Sequence, residues 1–290
     1  MVPGAARRRR RPRRPGARRG PRPRAEAPLT PADRLEASLR SPRSPGAALA
    51  GWVVGGYPSR AGFPAALAGV SVAVDAVAIA VPSPAPLADG GALARADADA
   101  LASGTRLATL LEDLAAHRPH CPSLLVAPHA AVSDFGADAL VAALVAIGID
   151  GLLVPDLPAD DEALAPLLAD AGLAHAQLVA PDEDPDDAVA ARCARARGLV
   201  CAAATRGVSG GALDVEAAVA ALEALRAQVT VPLGAAFGVR RPDQARRLAA
   251  AADVLVLGTA LVEPLSQGRD PGPALAAFRA AAAPPTPGTG

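Results

Sequence analysis

The segment LGTALV, Leu257–Val262, ends the last apolar run of this chain in a glycine turn, and FGVRR, Phe237–Arg241, ends the run before it. A strand that ends in glycine just before a helix offers backbone N–H groups to an anion. In barrels built from eight strand–helix repeats, a phosphate site commonly lies after strands seven and eight. The two turns therefore predict a barrel that binds a phosphorylated small molecule.

Short apolar runs recur along the whole chain, and each has the continuous apolar character of a parallel strand buried on both faces. They are Ala50–Val54, Asp75–Val81, Ser123–Ala127, Gly151–Asp156, Ala174–Ala180, Gly198–Ala204, Val231–Phe237 and Asp253–Leu257. Stretches with apolar spacing near 3.6 residues lie between them, as is typical of helices. The alternation predicts an α/β fold, the (β/α)8 or TIM barrel, in preference to a doubly wound open sheet.

Seven of the intervening stretches are predicted helices. They are Leu93–Ala102, Arg106–His117, Gly136–Ile147, Asp160–Ala171, Pro185–Arg195, Leu213–Ala227 and Pro242–Ala251. A further helix is predicted before the barrel, because Thr30-Pro31-Ala32-Asp33 combines a hydroxyl cap, an early proline and an acid in the first turn.

The two ends of the chain differ from its body. Arginine, proline and glycine crowd into residues 7–24 with no acid among them, so this segment repels itself and buries little apolar area. We expect a disordered basic tail over residues 1–29, a barrel domain over residues 30–283 and a disordered C-terminus over residues 284–290.

The composition argues against several classes of function. The formal net charge is +0, so a basic tail leaves an acidic body, which is a poor partner for nucleic acid. The tail is either a bland solvated extension or a weak, sequence-independent contact for nucleic acid or acidic lipid. There is no uncharged apolar run of membrane-spanning length and no secretory signal pattern. The chain has 3 cysteines, too few for a disulfide framework, so we expect a cytoplasmic protein.

Few polar side chains follow the predicted strands. Asp89, after the second strand, can act as a general base or accept a hydrogen bond from a substrate, or it can cap the helix that begins near Gly91. Asp156, after the fourth strand, can face the pocket or bond its own backbone in a turn. His129, after the third strand, faces the same end and can contact a ligand.

The loop after the sixth strand, Thr205–Gly211, is rich in glycine and hydroxyl residues and is expected to close over a ligand. Together with the two turns quoted first, it supplies a set of backbone N–H donors that can form one phosphate cradle. These donors are Gly207, Gly210, Gly238, Gly258 and Thr259.

His117, His120 and Cys121 lie close together in the sequence, as metal ligands do. They precede the third strand, however, and no second ligand pair with zinc-like spacing follows. We therefore expect no metal site, and we expect His175, which begins a strand at the same end of the barrel, to be structural.

Four motifs resemble those of the α subunit of tryptophan synthase, and the similarity extends from Ala48 to about Ala282. AGWVVGGYP, residues 50–58, resembles the family's first-strand motif T-x-G-x-P, and PLADG, residues 86–90, matches its second-strand loop. GVSG, residues 207–210, resembles the family's G-V-T-G. The two glycine turns quoted first resemble the family's phosphate turns.

This resemblance implies a (β/α)8 barrel that takes part in tryptophan biosynthesis. The reaction is retro-aldol cleavage of indole-3-glycerol phosphate into indole and glyceraldehyde 3-phosphate. The implied partner is a β subunit that carries pyridoxal phosphate in an αββα assembly, and the α chain itself needs no cofactor. In the family, a loop aspartate bonds the indole N–H, here Asp89, and a second-strand glutamate moves protons between the ring carbon and the glycerol hydroxyl.

The second strand departs from the family pattern at that glutamate. The family has E-[LI]-G-[IV]-P-[FY]-S-D-P where this chain has AIAVPSPAP, residues 78–86. The glutamate position is therefore Ala78, the family's aromatic is Ser83, and its first loop aspartate is Ala85. A tyrosine common on strand six aligns with Cys201.

The departure predicts a lyase with an impaired site, because a positioned acid–base group contributes about 10²–10⁴-fold in rate. A carboxylate from elsewhere, such as Asp156, could substitute for the missing one. Two alternatives stay open. One is a non-catalytic phosphate-binding homologue that regulates or supports a β subunit, and the other is a barrel lyase or isomerase for a different phosphorylated substrate.

Overall fold

The computed structural model describes residues 28–84, 91–181, 184–203, 213–236 and 238–284. Its strands are β1 (Ala48–Val54), β2 (Ala76–Ala80), β3 (Ser123–Val126), β4 (Gly151–Leu153), β5 (Ala174–Val179), β6 (Val200–Ala203), β7 (Leu233–Ala236) and β8 (Val254–Leu257). Each strand pairs in parallel with the next, and β8 pairs with β1 to close the sheet. The predicted (β/α)8 barrel is confirmed.

The helices among the described residues surround this barrel. They are α1 (Pro31–Arg40), α2 (Phe63–Ala73), α3 (Gly91–Ala102), α4 (Leu107–Ala116), α5 (His129–Phe135), α6 (Ala137–Ile147), α7 (Leu164–Asp170), α8 (Asp186–Arg195), α9 (Val215–Arg226), α10 (Pro242–Leu248), α11 (Thr259–Ser266) and α12 (Gly272–Ala282). The predicted helix before the barrel is α1, and its Thr30 hydroxyl accepts the Asp33 N–H as a cap. Four helices, α2, α5, α11 and α12, have no counterpart in the predicted set.

The tails predicted to be disordered fall largely outside the described residues, which begin at residue 28 and end at residue 284. Within the described ranges, no single helix is long and apolar enough to cross a membrane. The pair α5 and α6 reaches that length and apolarity when taken together, but it bends by 92° at the break between the two helices.

Alternate side chains on the strands divide into an inner and an outer core, as the two-residue period of a strand requires. Outward residues such as Val53, Ile79 and Leu125 pack in one cluster with the helices. Inward residues fill the barrel with a second cluster, which α1 closes at the N-terminal end through Leu35 and Leu39. The inner residues on the strands include Ala48, Ala50, Trp52, Val54, Ala76, Ala78, Ala80, Leu124, Val126, Leu153, Ala174, Ala176, Cys201, Ala236, Val254 and Val256.

Three aspartates stabilise the N-terminal face of the barrel. One of them lies directly before each of β2, β4 and β8. Each carboxylate accepts the backbone N–H of a residue at the start of the preceding strand, and each also binds an arginine. The backbone pairs are Asp75 with Leu49, Asp150 with Ser123 and Asp253 with Leu233, all at 2.8 Å. The arginine partners are Arg279, Arg34 and Arg226, in the same order.

His175 is buried on β5 without a hydrogen-bond partner for either ring nitrogen among the described residues. Its neighbours Ala174 and Ala176 belong to the inner cluster, so His175 points outward, towards the helices. Burial lowers the pKa of His175 to about 4, and the nearby Arg195 acts in the same direction. The ring is therefore neutral in the folded protein at pH 7, in agreement with the structural role expected for it.

This buried histidine is expected to make the protein sensitive to acid. Because the folded pKa lies below the unfolded value, its stabilising contribution is complete above about pH 6.5 and is lost as the pH falls towards 4, by about 3 kcal/mol. Urea unfolding at pH 7 and pH 4 measures this effect. The free energy of unfolding should fall less between the two pH values in His175→Leu than in the wild type, and the difference should equal the contribution of His175. The exposed His117 gives the control, since His117→Gln should keep the wild-type pH dependence. Equal acid sensitivity in His175→Leu and the wild type would contradict this assignment.

Candidate functional site

The two glycine turns lie side by side at the carboxyl end of the barrel, because β7 pairs with β8. Gly238 follows β7 with φ +79°, a left-handed conformation that glycine adopts without strain. After Val239, the backbone N–H groups of Arg240 and Arg241 both donate to Gln244 Oε1 at 3.0 Å. The candidate donors to a ligand in this turn are therefore the N–H groups of Gly238 and Val239.

The second turn leads directly into α11. Gly258 is the N-cap, Thr259 is the first helical residue, and no side chain caps this end. The first N–H groups of a helix have no intrahelical acceptor and carry partial positive charge, which favours an anion. A Cβ atom added at Gly258 would lie 3.3 Å from Leu93 Cδ1 and 3.6 Å from Trp52 Cβ. Leu93 of α3 and Trp52 of β1 therefore form the walls beside this turn.

Ala78, at which the resemblance implies a glutamate in the family, lies inside the barrel. Ala78 of β2 is 7% exposed, and the strand register sets it opposite Trp52 and Leu124. All three side chains belong to the inner cluster. Cys201 also faces inward, and burial raises the pKa of its thiol to about 12, so it stays protonated. The inner wall thus offers a methyl group where a proton-transferring carboxylate is expected from the resemblance.

Asp156 and His129 meet at the ends of β4 and β3, away from the two glycine turns in strand order. Asp156 is exposed, and its Oδ1 accepts the backbone N–H of His129 at 2.8 Å, which caps the start of α5 from the neighbouring loop. The His129 ring lies 3.3 Å from Ser133 Oγ, measured from Nε2, one turn further along α5. Asp156 therefore bonds the backbone of a neighbouring loop, whereas the sequence allowed either a carboxylate that faces the pocket or a hydrogen bond within its own turn.

Asp97 of α3 is a candidate functional residue that the sequence patterns did not indicate. It is 8% exposed, and its Oδ1 accepts the backbone N–H of Ser83 at 3.3 Å, just beyond the end of β2. Burial raises the pKa of Asp97 to about 6, although the Ser83 hydrogen bond acts in the opposite direction. The available signal was its helical spacing from Leu93 and Ala100, which places an acid on an otherwise apolar helix face.

Three predicted site residues, Asp89, Gly207 and Gly210, lie outside the described residues. Helix α3 begins at Gly91, where the sequence predicts a helix start after Asp89. Among the described residues, no group of three or more His, Cys, Asp and Glu side chains is arranged to hold a metal ion.

These features define the class of the protein: a closed (β/α)8 barrel with glycine turns grouped at the ends of its last two strands. A family model described as "Tryptophan synthase alpha chain" matches residues 40–282. The chain belongs to the tryptophan synthase alpha chain family.

Individual relatives agree with this assignment. The chain is 34% identical over 247 residues to the tryptophan synthase alpha chain of Bordetella parapertussis, an alignment that covers 82% of this chain and 86% of that one. It is 37% identical over 182 residues to the protein of the same name from Laribacter hongkongensis, covering 61% and 69% of the two chains. The fold is similar to a chain in a crystal structure of tryptophan synthase from M. tuberculosis, with a TM-score of 0.77, 28% identity and coverage of 87% of this chain and 98% of that chain.

Proposed function

We propose that this protein is a lyase of tryptophan biosynthesis that cleaves indole-3-glycerol phosphate into indole and glyceraldehyde 3-phosphate. The observation that carries the proposal is the pair of adjacent glycine turns after β7 and β8 in a member of this family. The proposal includes a rate below that of a site with the second-strand glutamate, because Ala78 presents only a methyl group to the interior.

In this mechanism the phosphate is held at the carboxyl end of the barrel. The N–H groups of Gly238, Gly258 and Thr259 bind its oxygens, and Gly207 and Gly210 add donors from the loop after β6. A helix N-terminus is a suitable environment for an anion because its unpaired N–H groups and its dipole both favour negative charge.

The indole end of the substrate lies towards Asp89, whose carboxylate accepts the indole N–H. Cleavage moves one proton onto the ring carbon and removes one from the neighbouring glycerol hydroxyl. The electron pair of the broken carbon–carbon bond enters the indole ring, and the hydroxyl carbon leaves as the aldehyde. Since the ring itself takes up the electrons, the proposal assigns no cofactor to this chain.

The proposed partner is a tryptophan synthase β subunit, which would use the indole and carry pyridoxal phosphate. The M. tuberculosis structure is described as tryptophan synthase in an aminoacrylate- and BRD0059-bound form. A second candidate function follows from Ala78: a protein that binds the phosphorylated ligand and docks on a β subunit without cleaving the ligand.

One assay separates these two functions. The purified full-length protein is incubated with indole-3-glycerol phosphate, alone and with a tryptophan synthase β subunit. Indole release above the protein-free rate supports the lyase. No release, together with stimulation of the β subunit's conversion of indole and serine into tryptophan, supports the non-catalytic partner. No effect in either reaction contradicts both.

The phosphate cradle gives a prediction in which stability and binding change in opposite directions. Thr259→Asp adds a negative charge at the start of α11, which should stabilise the fold by about 0.3–1 kcal/mol. The same charge should repel a phosphate ester and weaken binding of indole-3-propanol phosphate by about tenfold or more, equivalent to about 1.4 kcal/mol. Thr259→Asn is the matched control and should change binding much less. Calorimetric titration measures the affinities. Equal affinities of the two variants would mean that Thr259 does not contact the phosphate.

A further inference from the structure

We propose that Asp97 supplies the acid–base carboxylate of this site and performs the proton transfer for which the second strand has only the methyl group of Ala78. The inference rests on the proposed lyase function and names the group that carries it out.

Asp97 shares a face of α3 with Leu93. Leu93 and Asp97 are four residues apart in the sequence, so their side chains lie on the same face of the helix. The Leu93 side chain lies next to Gly258, on the side where Trp52 also lies. Helix α3 packs against β1 and α11. The face that carries Asp97 therefore covers the mouth of the barrel next to the proposed phosphate turn.

A hydrogen bond attaches Asp97 to the segment that follows β2. Its Oδ1 accepts the Ser83 N–H at 3.3 Å, and Ser83 follows the strand that carries Ala78. The bond engages one of the two carboxylate oxygens. The carboxylate thus lies at the carboxyl end of the strand that holds the glutamate in the family, on the side where barrel enzymes carry out their chemistry.

Other carboxylates among the described residues lie at the opposite face, are exposed or are paired with arginine. Asp75 and Asp150 are buried at the N-terminal face and are paired with arginines. Asp156 is exposed and caps α5, and Asp184, after β5, is paired with Arg192. Among the described residues, Asp97 is the one buried carboxylate at the carboxyl end of the barrel, and it forms no ion pair with any of them.

The electrostatic environment of Asp97 suits proton exchange near neutral pH. Within the described ranges, the titratable groups on the elements around it are Tyr57 after β1, Glu263 on α11, and Arg95 and Asp99 on α3 itself. The pKa of Asp97, raised to about 6, is governed by burial and by the Ser83 hydrogen bond rather than by these charges. A general acid or base is most effective when its pKa lies near the working pH.

The proton transfers balance without a further reactant. Protonated Asp97 donates its proton to the indole carbon that bears the glycerol chain. The resulting carboxylate then takes the proton of the adjacent hydroxyl as the carbon–carbon bond breaks, and the electron pair of that bond restores the indole ring. Indole and the aldehyde leave, and Asp97 is protonated again as at the start.

Asp97→Asn is the test variant, because an asparagine keeps an oxygen to accept the Ser83 N–H but cannot exchange the proton. Its kcat for indole release should fall about 100-fold or more. Indole-3-propanol phosphate lacks the hydroxyl group that cleavage requires, and its affinity for the variant should stay within about threefold of its affinity for the wild type. Asp99→Asn, an exposed acid on the same helix, is the matched control and should leave kcat unchanged.

A pH profile of the wild type provides a measurement that does not depend on the folding of a variant. The wild-type kcat should decrease as the pH rises through about 6, because the first step needs protonated Asp97, and Asp97→Asn should lack this inflection. The kcat is used because the substrate's phosphate ionises near pH 6 as well, which affects kcat/KM.

The outcomes distinguish the inference from the proposed function. If the wild type releases indole and Asp97→Asn does so equally well, or if the wild-type kcat is flat across pH 5–8, Asp97 is not the acid–base group and the lyase function stands. If the wild type binds indole-3-propanol phosphate but releases no indole, Asp97 has no catalytic role and the non-catalytic function replaces the lyase. If it neither binds nor cleaves, the proposed function itself is wrong.

Discussion

Asp75→Ala should lower the free energy of unfolding by about 3–5 kcal/mol, the cost of breaking a buried ion pair by removing one partner. Asp75 is fully buried and its carboxylate accepts the backbone N–H groups of Arg43 and Leu49 as well as binding Arg279. Its removal leaves a half-buried guanidinium and a buried N–H without their acceptor. Urea denaturation at pH 7 measures the change.

The matched control is an exposed ion pair in the same protein. Asp243 and Arg241 pair at 2.9 Å with side chains that are 63% and 64% exposed, so Asp243→Ala should lower the free energy of unfolding far less than Asp75→Ala does. If Asp75→Ala lowers the free energy of unfolding as little as the control does, the aspartates before β2, β4 and β8 do not stabilise the N-terminal face of the barrel in this way.

Ala78→Glu should increase the rate of indole release by about 10–100-fold, because it restores a carboxylate at the strand position where the family moves its protons. The new side chain enters a lumen lined by Trp52 and Leu124, and burial should lower the stability of the variant by about 1–3 kcal/mol. Indole release at saturating substrate and urea unfolding of the same preparation measure the two effects.

Ala78→Gln separates proton transfer from a change of shape, since it has nearly the same volume and cannot exchange a proton. It should lose stability in the same way without gaining activity. In an Asp97→Asn background, Ala78→Glu should again raise the rate, because two groups that perform one task can replace each other. No gain in either background would mean that Ala78 is not the glutamate position or that the lumen does not admit the substrate.

The barrel was predictable because its strands are buried on both faces and appear as separate apolar runs, while glycine marks the ends of the last two. The missed helices lacked comparable signals. Helix α2, FPAALAGVSVA, is apolar at nearly every position, so no polar face reveals its period. Helix α11 begins directly at the glycine turn of Gly258, so its first turn has the sequence pattern of a phosphate loop. Strand β4 ends at Leu153, before Pro155, because proline has no N–H to extend the strand ladder.

The site was predictable only in part. Gly238, Gly258 and Thr259 follow paired strands, so their proximity could be inferred from strand order. The roles of the acids could not be inferred, because each depends on a contact between distant parts of the chain. Asp156 bonds the backbone of His129 in another loop, whereas Asp97 turns towards Ser83 from a later helix. The helical spacing of Asp97 from Leu93 and Ala100 places it on an apolar face but does not show what that face covers, so Asp97 was not among the predicted site residues.

The most direct measurement is a crystal structure of the protein with indole-3-propanol phosphate bound. We predict that the phosphate oxygens lie within about 3 Å of backbone nitrogens in the turns at Gly238 and at Gly258–Thr259, the distance of an N–H···O hydrogen bond. The indole ring should lie under the face of α3 that carries Leu93 and Asp97. A phosphate bound elsewhere, with both glycine turns unoccupied, would contradict the proposed site.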